Sequence, residues 1–92
     1  MNDLIVGPLT EDIRKNSGMN KDETGVIIRS VTNGGLAAKA GLQPNDLILQ
    51  INRNSIKDVS SFHEILKQQA KSKMLLLLIK RERGRFFVVL ER

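Results

Sequence analysis

The 92-residue sequence contains no cysteine, no tryptophan and no tyrosine, and its aromatic residues are three phenylalanines. The absence of cysteine excludes a disulfide framework and a thiolate metal site. Since aromatic residues are scarce, the core must be built from aliphatic side chains, which make up most of an apolar fraction of 40%. A chain of this length predicts one small domain with one core.

Long apolar runs are also missing. The longest, Met74 to Ile79, has six residues, whereas a membrane-spanning helix needs about 20. The first residues show no basic region followed by an apolar segment, so no targeting sequence is predicted. We therefore expect no direct membrane insertion, and we expect residues 1–92 to be a single domain, with its core at about 4–91, from a longer protein.

The sequence lacks the residue sets that catalysis or metal binding requires. His63 is the only histidine, and Asp58, Ser60 and Ser61 lie close to it in the sequence. A catalytic triad needs its members to converge in space, which neighbours on one turn rarely do. A metal site needs several ligands. We therefore predict no catalytic residues, no metal and no cofactor in this chain.

The formal net charge of +5 suggests only a mild preference for acidic surfaces. Four basic residues cluster in a predicted hairpin turn: Lys80, Arg81, Arg83 and Arg85. No aromatic platform for bases accompanies them. Gly34-Gly35 precedes a short helix without the Lys and Ser/Thr of a phosphate-binding loop. Nucleic acid is therefore not a predicted partner.

Short β-prone runs separated by turn residues predict five strands. They are Leu4 to Val6, Gly25 to Val31, Leu47 to Ile51, Met74 to Ile79 and Phe86 to Leu90. A turn at 52–55 would bring Ile56 back to the sheet as a sixth strand. Residues 80–85 would form the hairpin turn before the closing strand.

Two or three short helices are predicted between these strands. Thr10 is a suitable N-cap for the first, which would end near residues 16–18. The second starts at Leu36, and Gly41 would end it in the left-handed conformation. For the third, Ser61 and Glu64 match a capping box, with Asp58 as an alternative cap one turn earlier. An apolar stripe on that helix indicates one buried face and comprises Phe62, Ile65, Leu66 and Gln69.

The stretch from Gly34 to Asn52 resembles the central motif of bacterial PDZ domains, G-S-P-A-x-x-A-G-L-x-x-G-D-x-I-x-x-V-N. The flanking segments Pro8 to Glu11, Leu75 to Arg81 and Phe86 to Leu90 resemble the last PDZ domain of DegP/HtrA-type serine proteases. The resemblance extends from about Leu4 to Glu91. It implies an α+β fold, a partly open β-barrel of five to six strands capped by two to three short helices. The bacterial, permuted strand order places the peptide-binding strand first and the closing strand last.

The resemblance also implies a binding site. PDZ domains bind an extended peptide as an added strand between a strand edge and a helix. In this sequence the strand is Leu4, Ile5 and Val6, and the helix face is Phe62, Ile65 and Leu66. The loop that binds a terminal carboxylate would fall at Asn2-Asp3, where the charge of Asp3 is unfavourable. Either the domain binds terminal carboxylates poorly, or the true loop lies upstream.

The function implied is that of a non-catalytic, peptide-binding or regulatory module of a DegP/HtrA-like serine endoprotease of the periplasm or cell envelope. Such a module serves protein quality control by binding C-termini or extended apolar segments. Its partners would be peptides, unfolded protein segments, and other domains or protomers of the protease. Two alternatives remain: a structural domain that mediates protomer assembly without binding free peptide, and a PDZ domain of a site-two protease or secretion-system protein.

Overall fold

The computed structural model describes residues 3–20, 22–82 and 84–91. The strands are β1 (Leu4–Pro8), β2 (Val26–Val31), β3 (Leu47–Ile51), β4 (Asn54–Ser55), β5 (Met74–Arg81) and β6 (Gly84–Glu91). The helices are α1 (Glu11–Asn16), α2 (Leu36–Lys39) and α3 (Val59–Gln68). The predicted α+β class is confirmed.

All strand pairs are antiparallel, and the order across the sheet is β1-β2-β3-β5-β6, with β4 paired to β3. Within the described ranges β1 and β6 do not pair with each other, so the sheet stays open rather than closing into a barrel. In the described ranges β1 and β6 are therefore the edge strands at the two ends of this order, and the two-residue strand β4 pairs only with β3.

Each face of the sheet carries an apolar cluster, as expected when side chains alternate along strands. The larger cluster lies on the inner face, where α2 and α3 contribute Ala37, Phe62, Ile65 and Leu66. The smaller one, on the outer face, consists of Ile27, Leu47 and Leu49, with Leu9, Ile13 and Met19 packed against it. Helix α1 and its flanking residues therefore cover the β2–β3 part of the outer face, and Leu78 of β5 packs against the edge of this cluster.

The caps of the first two helices follow the sequence. The Thr10 hydroxyl accepts a hydrogen bond from the Ile13 N–H at 3.2 Å, which confirms the predicted cap of α1. Gly41 follows α2 with a φ of 91°, the left-handed conformation that glycine adopts at low cost. Asn45 has a φ of 76°, consistent with the tolerance of asparagine for this region.

At the start of α3, the structure agrees with the alternative cap rather than with the Ser61–Glu64 pattern. Asp58, not Ser61, is the N-cap: its carboxylate accepts the Ser61 N–H at 2.8 Å. The Ser61 hydroxyl in turn accepts the Asp58 N–H at 3.1 Å. Ser61 thus occupies the third helical position of the capping box, and the helix begins one turn earlier than the Ser61–Glu64 pattern indicated.

Two predictions were wrong. Residues 80–85 do not form a long turn, because Lys80 pairs with Arg85 and Arg81 with Gly84, so the hairpin strands continue almost to the tip. Ile56 is not in a strand; instead β4, within the predicted turn, pairs with β3. Ile56 is nevertheless fully buried, and its N–H donates to the Leu49 carbonyl at 3.0 Å.

Candidate functional site: the groove between β1 and α3

The first edge strand, β1, has backbone groups available for pairing. It pairs on one side with β2, with a register shift between Ile5 and Val6. The Thr32 N–H donates to the Asp3 carbonyl at 2.8 Å, which makes Leu4 and Val31 a non-hydrogen-bonded pair. In such a pair the backbone N–H and C=O point away from the partner strand. The backbone of Leu4 therefore faces the free edge of the sheet.

Helix α3 packs against β1 and forms the other wall of the groove. Its predicted stripe is buried: Phe62, Ile65 and Leu66 are 2%, 8% and 9% exposed. On the strand, Leu4 joins the same cluster and Val6 packs against it half-buried. Five of the six predicted site residues therefore meet in one place.

Ile5 is the exception among the predicted site residues. Its side chain is 63% exposed, while those of Leu4 and Val6 contact the core. The reason is the two-residue period of a strand, which directs alternate side chains to opposite faces. The side chain of Ile5 therefore lies on the outer face, away from α3.

At the start of β1, the Asp3 carboxylate has a structural partner. Its Oδ2 accepts the Ala37 N–H at 2.6 Å, at the first turn of α2. Gly35 permits this approach, since a Cβ there would lie 2.8 Å from the Asp3 Cβ. The expected negative charge is thus held at this end of the groove, whereas Asn2 lies outside the described residues. The sequence alone did not indicate the bond to Ala37, which joins residues 34 positions apart.

Arg29 is a charged residue near the edge strand that the sequence analysis did not single out. Its side chain lies over Gly7 of β1, so close that a Cβ on Gly7 would be 2.7 Å from the Arg29 Nε. A cation beside β1 favours acidic residues in a ligand that pairs with this strand. The only indication in the sequence was an arginine on the predicted strand that became β2 and a glycine next to the predicted strand that became β1, with which β2 pairs.

The polar residues around His63 are used structurally. The Ser61 hydroxyl donates to the Asp58 carbonyl at 3.1 Å, and the Asp58 carboxylate caps α3. The exposed His63 ring stands edge-on to Phe62, with the centroids 5.4 Å apart. Among the residues that the structure describes, no group of three or more His, Cys, Asp or Glu could hold a metal ion.

Two ion pairs connect residues that are far apart in the sequence. Arg81 donates to both oxygens of the buried Asp46, at 2.7 and 2.9 Å, and to the Gly41 carbonyl at 2.5 Å. Arg85 donates to both oxygens of Glu23 and thereby lowers the pKa of that carboxyl group. Both pairs fasten the β5–β6 hairpin to other parts of the fold.

Comparison with known proteins agrees with this geometry. The sequence model of the PDZ domain family matches residues 27–80. The chain therefore belongs to the PDZ domain family. The fold agrees as well: the PDZ domain of HtrA3 bound to a phage-derived ligand (FGRWV) superposes with a TM-score of 0.79 at 16% identity, covering 99% of this chain and 82% of that one. The HtrA-type protease AlgW S227A with a decapeptide gives 0.80 at 22% identity, over 99% of this chain and 27% of that one.

The sequence similarity narrows the type of PDZ domain. A probable periplasmic serine endoprotease, DegP-like, from Chlamydia muridarum is 37% identical over 81 residues, which is 88% of this chain and 16% of that protein. The chain is thus a PDZ domain resembling those of the DegP/HtrA type. It spans about a sixth of the length of the curated relatives that it matches. No helix in the described part of the chain is long and apolar enough to cross a membrane.

Proposed function

We propose that this domain binds extended peptide segments by strand addition in the groove between β1 and α3. The observation that carries the proposal is the outward-facing backbone of Leu4 beside the apolar wall formed by Phe62, Ile65 and Leu66. In this arrangement Leu4 contributes to the groove with backbone and side chain and Val6 with its side chain, whereas the backbone of Ile5 is directed toward Ser30 of β2 and its side chain lies on the outer face. The HtrA3 and AlgW structures, which share this fold, hold peptide ligands, and this supports a peptide as the ligand.

The biological role that fits this activity is that of a non-catalytic, regulatory module of a DegP/HtrA-like serine endoprotease of the periplasm. Its ligands would be exposed C-termini or apolar segments of unfolded proteins, in the service of protein quality control. The similarity to DegP-like relatives over 88% of the chain supports this role. In such a protein, catalysis is carried out by another part of the parent protease, and this domain binds the ligand segment and holds it in position.

The test is an NMR titration with apolar-ended peptides, each made with a free and with an amidated C-terminus. Strand addition predicts shifts of the backbone amides of Leu4 to Val6 and of residues along α3. A peptide N-methylated at the positions that pair with Leu4 should not bind, because it lacks the backbone donors of the added strand. Absence of shifts in both elements, or equal binding of the N-methylated peptide, contradicts strand addition.

Asp3 favours a second candidate, a domain that assembles protomers without capturing free C-termini. A ligand strand antiparallel to β1 ends near Asp3, where like charges repel. The variant Asp3→Asn keeps an oxygen for the Ala37 N–H and removes the charge. We expect it to strengthen binding of free-carboxylate peptides several-fold and to leave amidated peptides unchanged. Equal affinities of Asp3→Asn and the parent sequence for both peptides would show that Asp3 does not select ligands.

A further inference from the structure

The outer face of the β5–β6 hairpin carries an uncovered apolar patch. Cross-strand pairing places Leu76 opposite Val89 and Leu78 opposite Phe87, with Met74 at one end. Phe87 is 59% exposed, Val89 46% and Met74 56%. Leu76 and Leu78 are half-buried, and Leu78 also packs against the cluster under α1, so these five residues, here called the β6 patch, are exposed mainly through Phe87, Val89 and Met74. Contiguous exposed apolar surface of this kind marks interaction sites.

The edge of β6 offers backbone groups as well. The Leu76 N–H donates to the Asn52 Oδ1 at 2.8 Å, and its carbonyl accepts the Asn52 N–H at 2.7 Å, so both point away from β6. Leu76 and Val89 are therefore a non-hydrogen-bonded pair, and the N–H and C=O of Val89 point to the other side of β6. In the described ranges no strand lies on that side. By alternation, Arg85, Phe87 and Glu91 face this free edge too.

We propose that β6 pairs antiparallel with β6 of a second copy of this chain, with Val88 on the two-fold axis. Strands pair through residues whose backbone groups face each other, so Arg85, Phe87, Val89 and Glu91 must meet their counterparts. The register centred on Val88 sets Arg85 opposite Glu91 of the second copy and Phe87 opposite its Val89. Each of these four residues then lies opposite a complementary residue of the second copy. The two-fold axis repeats every contact, as in any isologous interface.

Two observations bear on whether this register is feasible. Arg85 already binds Glu23, but a guanidinium has five donors and can serve a second carboxylate. Helix α2 also contacts β6, but the residues of both elements that join the core, Ala37, Phe86 and Val88, belong to the inner face. The outer face and its apolar pairs stay open to a second copy.

The contact area is small. A single strand edge with a few apolar side chains buries less than the ~1,200 Å² of a stable interface, which places it among weak associations. We expect a dissociation constant of about 1 mM for the isolated domain, and stronger association where another interface of a parent protein raises the effective concentration. The surface lies on the opposite sheet edge from the peptide groove, so it does not depend on peptide binding.

The first experiment follows the β6 amides by NMR from about 0.05 to 2 mM protein, with sedimentation over the same range. We expect concentration-dependent shifts along residues 85–91 and a rise in average mass. Phe87→Ser should abolish both, while the control Leu36→Ser, at another exposed apolar residue outside the patch (44% exposed, against 59% for Phe87), should preserve them. No concentration dependence up to about 2 mM, or association that survives Phe87→Ser, overturns the proposal. Shifts at β1 and α3 would report on the groove instead.

A charge-reversal pair tests the register. Arg85→Glu and Glu91→Arg should each weaken self-association at least tenfold, because like charges then face each other. When the two variants are mixed, opposite charges meet at both ends of the pair, and the mixed dimer should recover the original affinity. Titrating one ¹⁵N-labelled variant with the other unlabelled one measures this. If the mixed pair associates no more tightly than either variant alone, the Val88-centred register is refuted. Arg85→Glu also loses the ion pair with Glu23 and so folds less stably. If that variant is poorly folded, the Phe87→Ser experiment still tests whether β6 is the interface.

Discussion

Replacing Arg81 by methionine should destabilise the domain more than replacing its partner Asp46 by asparagine. Asp46 is 3% exposed and accepts three hydrogen bonds, two from Arg81 and one from the Gln43 N–H at 3.0 Å. Arg81→Met leaves this buried carboxylate with Gln43 alone. Removing one partner of a buried ion pair costs about 3–5 kcal/mol. Because the Arg81 side chain is itself 35% exposed and water can enter there, we expect the low end, about 3 kcal/mol.

Removing the carboxylate instead leaves the Arg81 cation without its ion-pair partner, but this cation has other favourable surroundings. In Asp46→Asn, Arg81 still reaches solvent, donates to the Gly41 carbonyl and lies 4.8 Å from the centroid of the Phe86 ring. The expected loss is about 1.5 kcal/mol, the scale of one hydrogen bond to a charged group. Thermal unfolding measures both, since 1 kcal/mol shifts the Tm of a domain of this size by roughly 4–8 °C.

The double variant decides whether the two residues act as a pair. Adding Asp46→Asn to Arg81→Met removes the uncompensated charge, so the Tm should rise relative to Arg81→Met alone. Such non-additivity is the signature of direct coupling. If Asp46→Asn instead lowers the Tm equally in both backgrounds, the two side chains contribute independently and the reasoning is refuted.

Three further outcomes are expected. Gly41→Val should lower the stability by about 1–2 kcal/mol. The cause is the φ of 91° and not a steric clash, since a Cβ there meets no other atom within 4 Å. Gly41→Asn should cost less, and an unchanged Tm for the valine variant would argue against the left-handed cap. The pKa of Glu23 is lowered by Arg85, so this pair adds stability above the unfolded-state pKa of Glu23 and loses it as the pH falls through the folded-state pKa. Glu23→Gln should therefore flatten the decline of the Tm as the pH falls below about 4.5, the ordinary pKa of a glutamate, and an identical decline in both proteins contradicts the prediction. Leu66→Glu should unfold the domain, since that side chain is 9% exposed, whereas the exposed Lys67→Glu should remain folded by circular dichroism; two folded variants would mean that α3 presents a different face.

Features encoded within a few residues were predictable. The cap at Thr10 and the left-handed Gly41 depend on residues a few positions apart, and the buried face of α3 is recognisable from the helical spacing of its apolar residues. The start of α3 was harder, because Asp58 and Ser61 both satisfy a capping pattern, and only the observed pair of hydrogen bonds decides between them. The hairpin tip was missed since a run of charged residues is typical of turns, yet paired strands accommodate it when Arg81 finds a buried carboxylate.

By itself, the sequence determined the fold class, the order of the main elements and the strand and helix that form the groove. Hydrophobic periodicity and the Gly34–Asn52 motif carry that information locally. Only the tertiary structure decided which side chains face the groove, where the Asp3 carboxylate lies and which strand edges stay unpaired. The physical reason is that these features depend on partners far apart in the chain, such as Asp3 with Ala37 and Arg81 with Asp46, separated by 34 and 35 positions. No local pattern specifies such a meeting, because it exists only once the sheet has assembled.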